Sequence, residues 1–178
     1  LSDLDVAIQP DAPIGAMTWY GIGGRADLLV RPRTVEALRT LVQRARRSGF
    51  ALRIMGSGAN LLVADEGVGG IVIRLDEPVF REIKFSPEGA IDRVLAMAGA
   101  DVPKSLMDFA RRGLWGLEMM AGIPASFGGA VRMNAGGRFG SIGDIVESVT
   151  CIDRNGELVT RPPRNITFGY RHTTIEEP

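Results

Sequence analysis

Two glycine-rich stretches hold the residues best suited to chemistry. The first reads Met55-Gly56-Ser57-Gly58-Ala59-Asn60-Leu61-Leu62-Val63 and directly follows an apolar stretch. Glycines at alternate positions let successive N–H groups face one concavity, a nest for anionic oxygen. Ser57 and Asn60 add side-chain donors without charge. No G-x-x-x-x-G-K-[ST] pattern occurs, which argues against a triphosphate-cleaving loop. A tight β-turn with Ser57 and Asn60 facing solvent fits the same spacing, and spacing alone does not choose between the two.

The second stretch is Ala121-Gly122-Ile123-Pro124-Ala125-Ser126-Phe127-Gly128-Gly129-Ala130-Val131-Arg132-Met133-Asn134-Ala135-Gly136. Pro124 suits the first turn of a short helix, where a missing N–H costs nothing. Gly122 and Ile123 would then stand at the helix entrance, where free N–H groups and the positive dipole end favour a phosphate. Gly128-Gly129 allows close packing on a backbone or a ring, and Asn134-Ala135-Gly136 brings a polar amide. Close helix packing plus turns is the other reading. Two loops with so few cations suggest a diphosphate met by backbone dipoles, inside a large, mostly apolar cofactor. Met55, Ile123, Phe127 and Val131 are candidate walls for a ring system, with core packing as the alternative for each.

Near the end lies Phe168-Gly169-Tyr170-Arg171-His172-Thr173. Arg171 can hold a carboxylate or phosphate in bidentate fashion, or sit in a surface turn. His172 is the only histidine, which excludes a histidine-based triad and a multi-histidine metal site. Cys151, the only cysteine, reads as a buried apolar residue in a strand. Gly21-Ile22-Gly23-Gly24-Arg25-Ala26 formally fits G-x-G-x-x-A. A strand pattern ending in Pro32 follows it where a helix is required, so a turn between extended segments is the better reading.

The elements that must place these residues are legible in part. A strand is expected over 26–30, closed by Pro32. Thr34 caps a helix that turns Val35, Leu38, Leu41, Val42 and Ala45 to one face, carries Glu36 in its first turn and Arg44, Arg46 and Arg47 in its last, and ends at Gly49. A short buried strand over 51–55 leads into the first glycine loop, and another spans 70–75, giving a βαβ unit. Strands over 79–85 and 91–98 follow, then a helix from Asp101 or Val102 that stops at Gly113. Strands over 146–153 and 157–161 flank Arg154-Asn155-Gly156, a hairpin signal. A boundary near 76–79 divides the chain into 1–77 and 78–178, a mixed α/β (α+β) organisation.

Bulk composition narrows the classes. Lys+Arg 21 against Asp+Glu 21 gives no basic surplus, which argues against a nucleic-acid partner. A single cysteine excludes an internal disulfide framework and suits a reducing cytoplasm. No apolar run approaches the ~18 residues of a membrane span, and the first residues lack a signal-peptide pattern. Gly 23 in 178 residues is close to twice the ordinary ~7%, and its clustering marks places of sharp turning or close approach.

Taken in order, Thr18-Trp19-Tyr20-Gly21-Ile22-Gly23-Gly24-Arg25-Ala26-Asp27, the loop from Gly56, the run from Gly116-Leu117-Glu118 to Gly136, and Phe168-Gly169-Tyr170-Arg171-His172 resemble the UDP-N-acetylenolpyruvylglucosamine reductases. The resemblance spans about residues 12–173. It implies an FAD-binding fold of the vanillyl-alcohol-oxidase (PCMH) type, built as two α/β subdomains with a non-covalent flavin between them. It also implies hydride transfer from NADPH through FAD to an enolpyruvyl sugar nucleotide in cytoplasmic peptidoglycan synthesis, a process tied to cell shape and division. Both glycine loops would contact FAD. Arg171, with Tyr170, would meet the substrate and stabilise its carboxylate as charge builds up.

Ser57 and Ala59 stand where the family commonly has glycine and serine, Ala125-Ser126-Phe127 replaces a Gly-Thr/Ser-Val/Ile stretch, and Thr173 replaces a common serine. The family's third domain, which carries its proton-donating serine and catalytic glutamate, has no counterpart expected within these residues. A non-catalytic FAD module, completed by another chain, and another oxidase of the same FAD superfamily remain the rival readings.

Overall fold

The computed structural model describes residues 1–87 and 93–175. Four strands make its main sheet: β1 (Val6–Ala12), β2 (Ala26–Pro32), β3 (Leu52–Met55) and β4 (Val68–Arg74), in the order β1-β2-β4-β3. β1 runs antiparallel to β2, whereas β4 lies parallel to both β2 and β3. Between β2 and β3 runs helix α1 (Val35–Arg47). The period-2 alternation of strands divides the apolar residues between two faces. Val30, Ile71 and Ile73 pack against Leu38, Leu41, Val42 and Ala45 of α1. Leu29 and Val72 point the other way, onto Ala12, Ile14, Ala26, Met55 and Val63.

The expected cap on α1 is present: Thr34 Oγ1 accepts from Ala37 N–H at 3.0 Å. Gly49, at φ +70, stands just past the helix end. Two expectations change. The strand over 51–55 is an edge strand with Arg53 and Ile54 exposed, because β4 inserts between it and β2. β1 was not anticipated at all. Pro10 and a left-handed Asp11 (φ 47) break its alternation, and only an edge position accommodates a proline of this kind.

The second half begins with a 3-10 turn over Pro78–Phe80, not with a strand from 79. Proline fixes the backbone there, and Phe80 is drawn into the first core, 3% exposed. Two short antiparallel strands follow, β5 (Ile83–Phe85) and β6 (Val94–Ala96). The start of the strand expected over 91–98, at Ile91, lies outside the described residues.

Asp101 caps helix α2 (Val102–Arg111), accepting from Lys104 N–H at 2.8 Å. A third core joins Val102 and Phe109 of α2 to Leu117, Met120, Ala130, Ala135 and Ile142. Helix α3 (Phe127–Arg132) and the two-residue strands β7 (Gly136–Gly137) and β8 (Gly140–Ser141) complete this part.

The expected hairpin forms between β9 (Val149–Ile152) and β10 (Leu158–Arg161). Its tip docks on α1: Arg39 Nε donates to Gly156 O at 2.7 Å, and Arg39 Nη2 meets Glu157 Oε2 at 2.7 Å. Gly156 has φ +79, and a Cβ there would lie 2.5 Å from Gln43 Cγ. The chain after residue 78 therefore helps to close the core of the chain before it. A last hairpin, β11 (Phe168–Gly169) with β12 (His172–Thr173), carries the aromatic-arginine motif. Among the described residues no helix is long and apolar enough to cross a membrane.

Thr34→Ala is expected to cost about 1 kcal/mol by leaving an N-terminal donor uncapped. Thermal melts should register a fall of about 2–4 °C for a chain of this size, with Thr34→Ser close to the parent. A second expectation concerns acid. The exposed Asp3 carboxyl is held down to about 2 by its hydrogen bond to Arg44. A depressed carboxylate contributes stability above its unfolded value of 3.8 and loses it as pH falls toward about 2. Melts of Asp3→Asn between those pH values should show a shallower acid dependence than the parent.

Candidate functional site

The first glycine loop is slung between two buried anchors. Met55, at the end of β3, and Val63 are 3% and 8% exposed and share the core beneath the sheet. Met55 therefore faces the core, and any contact it makes above the loop is through its backbone. Between the anchors, Gly58 has φ +77, and a Cβ there would lie 2.9 Å from Met17 O and 3.1 Å from Thr18 Cα. Its carbonyl accepts from Trp19 N–H at 3.2 Å.

Among the described residues, none of the backbone N–H groups of residues 56–63 makes a well-formed hydrogen bond to the chain, and only a loose turn closes over Ala59 and Asn60. Backbone donors in folded proteins find partners almost without exception, so this run has to be met by water or a ligand. Successive donors on a curved loop favour an anion.

The Gly21-to-Gly24 segment braces this loop from behind, as the turn reading expects. Gly24 N–H donates to Ala64 O at 2.9 Å, and a Cβ on Gly23 would lie 2.2 Å from Val63 O. No helix follows it, so no dinucleotide fingerprint is built there.

The second loop departs from expectation at its helix. α3 starts at Phe127 behind the N-cap Ser126, not at Pro124. Ser126 supplies the side-chain acceptor that a cap requires, taking Gly129 N–H at 3.4 Å, and proline has none to offer. Ala121 and Gly122 are exposed and Ile123 and Pro124 half-buried in the turn ahead of the helix, with Gly122 at φ +78. The first donors of α3 are taken by the chain: Phe127 N–H by Ala100 O at 2.9 Å and Gly128 N–H by Ala98 O at 2.8 Å. Among the described residues the longer run of open donors thus belongs to the first loop, with Gly122, Ala125 and Ser126 N–H also lacking an acceptor in the second.

Gly128 makes the close backbone approach foreseen for it, since a Cβ would come 2.9 Å from that of Ala98. Ile123, Phe127 and Val131 are half-buried on the third core, whereas Ala135 lies within it. The loops meet at one point: a Cβ on Gly56 would stand 2.7 Å from Ser126 Oγ, and Ser126 is 6% exposed.

The third motif hangs from the second loop. Asn134 Nδ2 donates to Gly169 O at 3.0 Å, and its Oδ1 accepts from Gly143 N–H at 3.1 Å. Tyr170 is 93% exposed. Arg171 has φ 56 and lines a cleft of about 150 Å³ with Asn134, Gly136 and Tyr170. Gly137, Gly140 and Ser141 also line it, and sequence reasoning missed them. Their only signal was the Gly-Gly…Gly spacing of a tight hairpin.

His172 is exposed and in strand pairing with Gly169. Cys151 is half-buried, not buried, because β9 belongs to a two-stranded ribbon; burial still pushes its thiol up, against the pull of Arg161. The exposed Glu118 carboxylate takes Gly116 N–H on both oxygens, at 2.9 and 3.0 Å, which lowers its pKa. Among the described residues no group of three or more His, Cys, Asp or Glu is placed to hold a metal.

Known proteins resemble this chain at three levels: family, sequence and structure. The family described as FAD binding domain matches residues 26–161. UDP-N-acetylenolpyruvoylglucosamine reductase of Moorella thermoacetica is 42% identical over 172 residues, which cover 97% of this chain and 55% of that protein. The same-named protein of Lactobacillus delbrueckii subsp. bulgaricus is 37% identical over 170 residues, covering 96% and 55%. The chain spans about half the length of the curated relatives it matches.

Among solved structures, UDP-N-acetylenolpyruvylglucosamine reductase from Thermus caldophilus superposes with a TM-score of 0.75 at 34% identity, over 96% of this chain and 57% of that one. Cholesterol oxidase from B. sterolicum gives 0.71 at 20% identity, over 89% and 33%, a likeness of fold alone. The fold is that of the PCMH-type flavoproteins.

Gly58 and Gly122 share a left-handed backbone but not their surroundings, and alanine substitution should separate the two effects. At Gly122 nothing lies within 4 Å of the added carbon, so Gly122→Ala should cost about 1–2 kcal/mol from backbone strain. Gly58→Ala adds the contacts with Met17 and Thr18 and should cost more, about 3 kcal/mol. Urea midpoints of the two variants check the order.

Proposed function

This chain belongs to the FAD binding domain family, and on that footing we propose that it is the flavin-holding portion of a reductase. The observation that carries the reading is the run of unpaired N–H groups over residues 56–63, bent around Gly58 and set against Ser126. Such a cradle fits the diphosphate of FAD: it offers dipoles without a cation and has glycine where a Cβ would intrude. Gly56, Ser57, Gly58, Ala59, Asn60, Leu61 and Leu62 surround the diphosphate in this proposal. Ser126 and Gly129 approach it from the second loop, and the half-buried Ile123, Phe127 and Val131 offer an apolar wall to the ring system. The flavin lies between subdomains 1–77 and 78–178.

FAD, held non-covalently, would supply hydride-transfer chemistry, with NADPH as reductant. The proposed substrate is the enolpyruvyl ether of UDP-N-acetylglucosamine, and the product UDP-N-acetylmuramate. The relatives' printed names support that choice. Arg171 contributes a fixed charge beside the cleft. Its fork suits the substrate's carboxylate and stabilises negative charge as the double bond is reduced. Tyr170 stands next to it on the same exposed turn. The setting proposed is cytoplasmic peptidoglycan synthesis, which bears on cell shape and division, with neither nucleic acid nor membrane as partner.

Purified protein should be yellow, or bind one equivalent of FAD with quenching of flavin fluorescence. ADP should compete for the site and adenosine should not, since the diphosphate supplies the contacts. Colourless protein that takes up no FAD overturns the reading. In an enzyme that carries the remaining length of the relatives, NADPH oxidation should depend on the enolpyruvyl sugar nucleotide. There Arg171→Ala should lower kcat about 100-fold or more.

A further inference from the structure

The geometry points to Asn134 as a positioning residue that acts through Arg171, and not as a holder of the cofactor; this rests on the proposed role of Arg171. Asn134 follows α3 with φ +43, a left-handed backbone that asparagine tolerates better than most residues. Both ends of its amide are engaged within the chain. Nδ2 donates to the carbonyl of Gly169, in β11, two residues before Arg171. Oδ1 accepts from Gly143, in the 3-10 turn Ile142–Asp144. One side chain therefore bolts the foot of the arginine turn to a second turn.

The surroundings leave this bolt little play. A Cβ on Gly143 would lie 2.6 Å from Phe168 Cγ and 2.8 Å from Asn134 Oδ1, so ring, glycine and amide are stacked in contact. The other foot of the turn is held as well: Thr173, 1% exposed, donates its hydroxyl to Arg132 O at 3.1 Å. Above these two ties the turn stands in solvent, with Tyr170 93% exposed and the Arg171 guanidinium 5.9 Å from the Tyr170 ring centre. The aim of Arg171 thus depends on where its backbone is pinned. Asn134 and Arg171 line the same cleft. Without the amide, Gly169 O and Gly143 N–H lose their partners, and the guanidinium has to be ordered at the moment of binding, which weakens association.

The test uses the FAD-loaded enzyme that carries the remaining length of the relatives, titrated with UDP-N-acetylglucosamine enolpyruvate and read by the change in flavin absorption, for Asn134→Gly, Arg171→Ala and the double variant. Glycine accepts the left-handed backbone and removes only the amide. Asn134→Gly should weaken sugar-nucleotide binding about tenfold, and the double variant should bind no worse than Arg171→Ala alone, the signature of a residue acting through its partner. FAD affinity should change by less than about twofold in each.

Asn134→Asp keeps the acceptor toward Gly143 and loses the donor toward Gly169. It should show the same non-additive loss, and it replaces the glycine variant should that fail to fold. Weakened FAD binding, or losses that add in the double variant, would overturn the inference. So would unchanged sugar-nucleotide binding in Asn134→Gly while Arg171→Ala weakens it. An Arg171→Ala protein that still binds the sugar nucleotide at full strength would instead defeat the proposed function.

Discussion

The site depends on backbone packed against backbone with no side chain between. A Cβ on Gly15 would fall 2.2 Å from Gly23 O, one on Gly23 2.2 Å from Val63 O, and one on Gly24 2.4 Å from Asp65 O. These contacts stack the turn after residue 12, the turn before β2 and the end of the first glycine loop into one layered unit. A single methyl anywhere in that stack would push the loop out of its bend. The glycine enrichment of the sequence is thus spent in large part on bracing.

The braced loop and the helix-bearing loop divide the work. The first keeps its N–H groups open, whereas the second consumes most of its own: Phe127 and Gly128 bind carbonyls of residues 98 and 100, and Ala135 binds Ala130. Its contributions are a capping hydroxyl set against Gly56, a half-buried apolar flank and the amide that fixes the arginine turn. The open backbone dipoles and the tie to the arginine turn therefore lie on different loops. The docking of the β9–β10 tip on α1 holds those parts together across the chain.

Much of this was legible in advance where the signal is local. The cap at Thr34, the apolar face of α1, the stop at Gly49, the start of α2 at Val102 and the Asn155-Gly156 hairpin all rest on interactions within a few residues, and each formed as expected. The ordered motifs likewise indicated a flavin-binding fold, which the FAD binding domain match bears out.

What sequence could not decide is non-local. The order β1-β2-β4-β3 makes β3 an edge, and no local pattern distinguishes an edge from a buried strand when both carry apolar residues. β1 escaped notice because proline and a left-handed aspartate interrupt it, and only its pairing with β2 makes it a strand. The helix entrance lies at Ser126 and not at Pro124 because Ser126 offers the capping hydroxyl, and the carbonyls of Ala100 and Ala98, distant in sequence, take the first two donors of the helix so formed. The two glycine loops that promised a diphosphate cradle were thus fixed in kind by residue type. Which of them keeps the longer run of free donors was decided by the tertiary structure, since an N–H group is open or occupied according to the carbonyls the fold brings to it.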